Sequence, residues 1–309
     1  MRIVIALGGN ALLKENDPLS SEVQRRNLQQ AMKELAPIVA KHEVVITHGN
    51  GPQVGLLALQ SSQTQGLKSD PLDVLGAETE GMIGYLIEQE LRHVLPPHKE
   101  CATLLTQVEV NASDPAFEHP DKPIGPRYSA EEAGPLQGQR GWTMQNLNGR
   151  YRRVVASPRP IHILQQNVIE QLLSQQTTVI CAGGGGIPVV CDAKGQCHGV
   201  EAVIDKDRVS ALLAHQLGAD HLLMLTDVDA VHESWGEADS RRFRCIAPAA
   251  LSDYGFADGS MGPKVQAAID FVEASGGTAG IGPLDKAQAL LEGEAGTRVS
   301  GDCKEILWW

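Results

Sequence analysis

Short runs of consecutive apolar residues alternate along this chain with longer stretches in which apolar residues recur every three or four positions. The short runs predict strands at Arg2–Leu7, Glu43–Thr47, Ala102–Val108, Thr177–Ala182, Gly199–Ile204, His221–Thr226 and Thr278–Ile281. The longer stretches predict amphipathic helices near Ser21–Lys41, Gly76–Val94, Ile161–Ser174, Asp207–Leu217, Gly262–Ala274 and Leu284–Leu291. In the first, Leu28, Ala31, Met32, Leu35, Ile38 and Val39 fall on one face, and Ser20 or Ser21 can cap its start. Strands that are apolar on successive residues, interleaved with helices, imply an α/β fold: a largely parallel sheet covered on both faces. One region breaks the rhythm. From Asn111 to Pro160 there are seven prolines, many charges and little periodicity, the pattern of an excursion or lid within the domain.

Composition adds limits. A chain of 309 residues, 42% hydrophobic and 21% charged, is long enough for a large core, and length alone suggests about two domains. A net charge of −12 disfavours duplex nucleic acid and anionic membrane surfaces as partners. An anionic ligand must then be held by a local cluster of lysines and backbone N–H groups. The run Ile3–Leu7 is too short for a signal sequence, and no later run approaches the roughly 20 residues that span a bilayer, so the expectation is a cytoplasmic protein. Six cysteines (Cys101, Cys181, Cys191, Cys197, Cys245, Cys303) lack CxxC spacing and are read as thiols. Cys191 and Cys197-His198, flanked by Asp192, Lys194 and Gly195, look like a hairpin more than a zinc site.

Two glycine turns carry the first chemical signal. Gly8-Gly9-Asn10 ends the strand Arg2–Leu7, and Gly49-Asn50-Gly51 follows Glu43–Thr47. The second continues as Pro52-Gln53-Val54-Gly55, close to a dinucleotide fingerprint with its third glycine one residue late; no GxxxxGK[ST] motif is present. At the carboxyl edge of a parallel sheet, two such turns let backbone and asparagine N–H groups approach an oxyanion. His48 is read as a histidine hydrogen-bonded beside its turn, not as a base. Lys206 lies between Asp205 and Asp207 where a helix begins, an electrostatically disfavoured place for a cation unless it has work to do there. Lys264, in Gly259-Ser260-Met261-Gly262-Pro263-Lys264, opens another helix, and Lys122 lies in the proline-rich segment. Thr226-Asp227-Val228-Asp229 follows a strong strand but lacks the further ligands of a calcium loop. Gly183–Gly186 implies close backbone packing or phosphate approach, and Arg150, Arg152 and Arg153 form either a solvated face or an anchor for the excursion.

Taken together, Ala6–Leu12, His48–Gln53, Glu201–Asp207 and Gly259–Lys264 resemble the motifs of carbamate kinases in the amino acid kinase family, and the resemblance runs from Arg2 to about Ser300. It implies the amino acid kinase fold, a three-layer α/β/α sandwich with a small protruding subdomain at 111–160. It also implies one domain over 1–300, with a carbamate lobe at about 1–175 and a nucleotide lobe at about 176–300; residues 301–309 fall outside it. Carbamate and the phosphoryl group would be wrapped by Gly8, Gly9, Asn10, Gly49, Asn50 and Gly51. Lys122, Lys206 and Lys264 would neutralise the migrating group, with Asp207, and less so Asp205, ordering the lysines. Thr226, Asp227 and Val228 would take the ribose or adenine side, while Lys264 also meets the nucleotide phosphates. The implied reaction is reversible transfer between ATP and carbamate, giving ADP and carbamoyl phosphate. Mg²⁺ would ride on ATP or ADP, since no protein cage for it is visible. The resemblance further implies a homodimer that runs towards ATP in nitrogen catabolism. Two alternatives stay open: a relative with another acceptor, or a non-catalytic paralogue that binds nucleotide or carbamoyl phosphate. Relatives acting on acetylglutamate, aspartate or UMP place a lysine just before the first glycines, where this chain has Met1-Arg2-Ile3-Val4-Ile5-Ala6.

Overall fold

A computed structural model describes residues 1–13, 17–18, 20–63, 69–237, 239–256 and 261–309, with the side chains of Asn10, Ser62 and Gln63 left aside. The first half runs β1 (Arg2–Leu7), α1 (Ser21–Lys41), β2 (Glu43–His48), α2 (Gly51–Gln63), α3 (Leu72–Arg92), β3 (Cys101–Thr103) and β4 (Gln107–Val110). The excursion follows as β5 (Lys122–Tyr128), α4 (Ala130–Arg140), β6 (Met144–Leu147) and β7 (Arg150–Val155). Then come β8 (Pro160–Ile163), α5 (Gln166–Ser174), β9 (Thr178–Ile180), β10 (Ile187–Cys191), β11 (Cys197–Gly199), α6 (Lys206–Gln216) and β12 (His221–Thr226). The chain ends with β13 (Phe243–Ile246), α7 (Pro248–Leu251), α8 (Met261–Ser275), β14 (Thr278–Pro283), α9 (Ala287–Glu292), β15 (Thr297–Ser300) and β16 (Leu307–Trp308).

A nine-stranded sheet in the order β16-β13-β15-β14-β12-β1-β2-β9-β3 forms the middle layer. It is parallel from β14 to β3, with antiparallel pairs only at β14–β15 and β13–β16. The consecutive apolar residues of β1 explain the layers, because successive side chains point to opposite faces. Ile3, Ile5 and Leu7 join one core with residues of α1, α3 and α9. Val4 and Ala6 join the other, with residues of α5, α6 and α8. Since β1 and β2 are neighbours and β12 lies on the other side of β1, the turns after all three strands meet at one edge.

The Asn111–Pro160 segment is more regular than its prolines suggest. Strands β5, β7 and β6 form a three-stranded antiparallel sheet, and Tyr128, Ala133, Leu136 and Met144 pack into a small core of its own. Ile124 and Val155 dock on Val54 and Ala58 of α2 and on Val203. The approach is close: a Cβ on Gly55 would lie 1.9 Å from Gly125 Cα. The arginine run divides: Arg150 stays exposed, while Arg152 and Arg153 turn inward as anchors. Arg152 donates to Gly125 O at 2.9 Å, and Arg153 lies over the Trp142 ring and reaches Glu201.

Four expectations change, one of them at the start of the Ile161–Ser174 helix, where Pro160–Ile163 is strand β8. Ala102–Val108 splits into β3 and β4, which belong to different sheets. Gly199–Ile204 is not a strand; after β11 its backbone meets the excursion in an isolated bridge, Ala202 beside Ala156, with Val203 N donating to Ala156 O at 2.9 Å. Four of the six cysteines are paired, correcting the thiol reading. Cys191 and Cys197 sit opposite each other across the β10–β11 hairpin, and Cys245 joins Cys303, while Cys101 and Cys181 are free and buried. The C-terminal segment, for which the sequence offered no account, covers the sheet's edge. β16 pairs with β13, Trp308 stacks on Phe243 at 4.5 Å, and Trp309 Nε1 donates to Gly296 O at 2.8 Å.

Candidate active site

The start of α6 gathers the charges. Asp205 caps the helix, its Oδ1 accepting from Asp207 N at 2.9 Å and Arg208 N at 3.3 Å. Its other oxygen binds the Nζ of Lys122, reaching in from β5. Asp207 Oδ1 accepts from Lys206 Nζ at 2.6 Å and Oδ2 from Lys264 Nζ at 3.0 Å. One carboxylate therefore holds two ammonium groups that would otherwise repel each other, and its neighbour holds a third. The acidic pair offsets the unfavourable dipole that a lysine meets at a helix start. Thr47 and Ser210, 2.7 Å apart, pin this first turn to β2.

Burial sharpens these interactions. Burial lowers the pKa of the Lys206 ammonium, with Asp207 opposing the shift and Lys264 adding to it. Burial alone would raise the Asp207 carboxyl, but Lys206 and Lys264 outweigh it and hold it below its ordinary value. Asp205 behaves alike: Lys122 and Lys206 overcome its burial and depress it.

The glycine turns close around this cluster. An ideal Cβ on Gly49 would lie 3.5 Å from Lys206 Cε and 3.9 Å from Gly9 N, so both turns and the lysine stem converge. Gly8 N donates to Leu225 O at 2.9 Å, which sets the first turn beside the end of β12 and hence beside Thr226, Asp227 and Val228. Thr226 Oγ1 donates to the exposed Asp227 carboxylate at 3.1 Å. Gly51 opens α2. The backbone of Asn10 lies in the single turn Gly9–Ala11. Lys264 sits in the first turn of α8, while Gly259 and Ser260 of its motif lie outside the described residues. The Gly183–Gly186 run turns out to serve packing. Gly184 has φ +67°, and a Cβ there would fall 2.1 Å from Asn50 Nδ2.

Sequence reasoning missed the support behind the turns. Thr79 Oγ1 accepts from Asn50 Nδ2 at 2.9 Å, and Glu80 accepts from Gly183 N at 2.9 Å. The signal was there: Glu80 is a charged residue at i−3 and i−7 from the buried Ile83 and Ile87 of α3. A further cluster beyond the end of β12 also escaped notice, in which Asp229 binds His232 at 3.0 Å and Arg242 at 2.7 Å. No group of three or more His, Cys, Asp or Glu able to hold a metal occurs among the described residues. The oxygens of Asp205 and Asp207 are already taken by lysines and N–H groups.

Comparison with known proteins agrees with this geometry. The profile of the Amino acid kinase family matches residues 1–281. The carbamate kinase of Rhizobium meliloti (strain 1021) is 51% identical, over all of this chain and 96% of its own length. That of Haemophilus influenzae is 50% identical over the whole of both. Among solved structures, the carbamate kinase from Giardia lamblia bound to AMP-PNP superposes with a TM-score of 0.88 at 39% identity, covering 97% of this chain and 98% of that one.

Proposed function

This chain belongs to the amino acid kinase family, and we propose that it works there as a carbamate kinase, moving a phosphoryl group reversibly between ATP and carbamate. One observation carries the reading beyond likeness. Lys122, Lys206 and Lys264 converge on Asp205 and Asp207 beside two glycine turns. Three cations and a backbone cradle at one sheet edge are what a migrating, multiply charged phosphoryl group needs.

In the ATP-forming direction, a β-phosphate oxygen of ADP attacks the phosphorus of carbamoyl phosphate in line. The bond from phosphorus to the carbamate oxygen breaks, and carbamate leaves as an anion. No proton moves, so no general base is required, and burial pushes His48 down to about 4 and keeps it neutral. The work is positioning and charge neutralisation. Gly8, Gly9, Asn10, Gly49, Asn50 and Gly51 hold the carbamate end; Thr226, Asp227 and Val228 take the ribose or adenine side. Lys264 meets the nucleotide phosphates and Lys206 the group in flight, with Asp207 keeping both in register. Mg²⁺ enters bound to ADP or ATP and shields phosphate charge.

The same reading extends to context. Met82, Tyr85 and Leu105 are exposed apolar residues on and beside α3, near the edge strand β3, and support a homodimer through this face. No helix among the described residues is long and apolar enough to cross a membrane. We place the enzyme in the cytoplasm, where ATP and ADP are held, running towards ATP in nitrogen catabolism. The experiment is direct: purified protein with ADP, carbamoyl phosphate and Mg²⁺ is expected to form ATP in a coupled assay. Loss of carbamoyl phosphate without ATP would contradict the reading.

Lys122 comes from the protruding sheet, and its effect separates lid from decoration. Lys122→Ala is expected to lower turnover at least ~10-fold, about 1.4 kcal/mol of transition-state stabilisation. The melting temperature should fall as well, because the buried Asp205 loses the ammonium that offsets its burial, so the loss of turnover is judged at a temperature well below the melting point of the variant. Steady-state kinetics beside a melting curve decide it; unchanged turnover would remove Lys122 from the chemistry.

A further inference from the structure

Directly beneath the two glycine turns lies a pair of titratable side chains that the transfer chemistry does not use. Glu80, on α3, is 1% exposed. Its Oε1 accepts from Gly183 N at 2.9 Å and its Oε2 from Thr106 N at 3.2 Å. These partners are neutral backbone groups, not lysine or arginine. A buried carboxylate with no countercharge is strongly disfavoured, whereas the neutral acid needs only an acceptor for its proton.

His48 lies close by with an acceptor that nothing else occupies. It is fully buried at the end of β2, with Nδ1 3.2 Å from Gly49 O. A carbonyl only accepts, so Nδ1 carries the proton and Nε2 presents a bare lone pair. Nε2 is buried and has no hydrogen-bond partner. The two side chains flank one point: a Cβ built on Gly183 would lie 2.3 Å from His48 Nε2 and 3.0 Å from Glu80 Cγ. The other groups around the pair are already committed. The Thr106 hydroxyl donates to Leu104 O at 3.0 Å, burial keeps Cys181 a thiol, and the Lys206 ammonium near His48 discourages imidazolium.

We propose that Glu80 works as a neutral carboxylic acid whose proton is directed at His48 Nε2, and that this acid–imidazole pair is a positioning device for the Gly49-Asn50-Gly51 turn; the proposal rests on the reading of that turn as phosphoryl-binding. Through it, one turn of α3 sets three parts of the site. Thr79 fixes the Asn50 amide, Glu80 fixes Gly183 N, and His48, held by Glu80, fixes the Gly49 carbonyl. Burial pushes Glu80 up to about 8 and His48 down to about 4, so both are neutral in between. Above that window Glu80 ionises, His48 loses its donor, and the turn loosens.

The test compares Glu80→Ala with Glu80→Gln, since glutamine cannot ionise and keeps an acceptor oxygen for Gly183 N and an N–H donor, while its amide nitrogen cannot accept from Thr106 N, a loss that does not depend on pH. Glu80→Ala is expected to lower kcat at least ~10-fold, and Glu80→Gln to bring it back to within about threefold, with a flatter alkaline limb above about pH 8. Melting curves without substrate give the independent readout. The unfolded chain releases this proton near 4.5 and the folded chain near 8, so the folded state binds more protons between them. Wild-type stability contributed by this group therefore declines as pH rises from about 4.5 to 8, and Glu80→Gln lacks that decline. Its melting temperature should therefore gain on that of wild type as pH rises from about 5 to 8. ¹⁵N NMR of His48 should show the Nδ1–H tautomer in wild type and Glu80→Gln. If the difference in melting temperature between Glu80→Gln and wild type is instead the same at pH 5 and pH 8, Glu80 carries no proton to lose in this range and the proposal falls. Melting and tautomer shifts as expected, in a protein that forms no ATP, would leave the pair standing and overturn the proposed function instead.

Discussion

Lys206→Met lowers turnover by ~10²–10³, a loss of about 3–4 kcal/mol, while nucleotide affinity falls far less. Methionine nearly matches the length of the lysine stem, so packing over Gly49 is kept and only the charge is lost. In wild type that charge sits largely shielded from water, with its ammonium fixed by Asp207. It is therefore preorganised, and no reorganisation is needed as charge spreads over the migrating phosphoryl oxygens. Stability should change little, because Asp207 retains Lys264 as a partner. Initial rates of ATP formation across ADP concentrations check this. A variant keeping more than about a third of wild-type turnover would reduce Lys206 to a structural residue.

Asp207→Asn has the opposite signature. The amide is isosteric but leaves two buried ammonium groups without their shared countercharge. Breaking a buried pair from one side typically costs about 3–5 kcal/mol, so the melting temperature should fall by several degrees along with turnover. Lys206, whose ammonium is already disfavoured by burial, loses the main interaction opposing that shift. Its pKa moves further down, and the residual activity of the variant should rise as pH is lowered and the ammonium is restored. Turnover lost with an unmoved melting curve, and no gain at lower pH, would show that Asp207 does not hold the lysines together.

The sequence made the central sheet legible because β1, β2, β12 and β14 are apolar on successive residues, a pattern that only burial on both faces explains. Helix α1 matches its expected span, since its apolar face is long and Ser20 caps it by accepting from Val23 N. What failed was local. The expected helix Ile161–Ser174 starts too early, because the alternation of Ile161–Ile163 is too short to read as a strand, yet these residues pair with β4 and the helix begins at Gln166. The proline-rich segment hid its strands because its sheet is small, with few apolar residues to set a period. Within the site, the three lysines and the glycine turns were readable from residue type and position. Their pairing was not: that Asp205 takes Lys122 while Asp207 takes Lys206 and Lys264 depends on how the helix start faces β5 and α8. Glu80 was invisible because its role comes from what α3 packs against, not from its neighbours in sequence.

The central claim is that these lysines and turns serve carbamate and not another acceptor. Its most direct test is a side-by-side rate measurement with Mg²⁺ and ATP on carbamate, acetylglutamate, aspartate and UMP, with ADP formation as readout. ADP formation with carbamate alone, mirrored by ATP formation from ADP and carbamoyl phosphate, is the predicted result. Phosphorylation of acetylglutamate, aspartate or UMP with none of carbamate would contradict it.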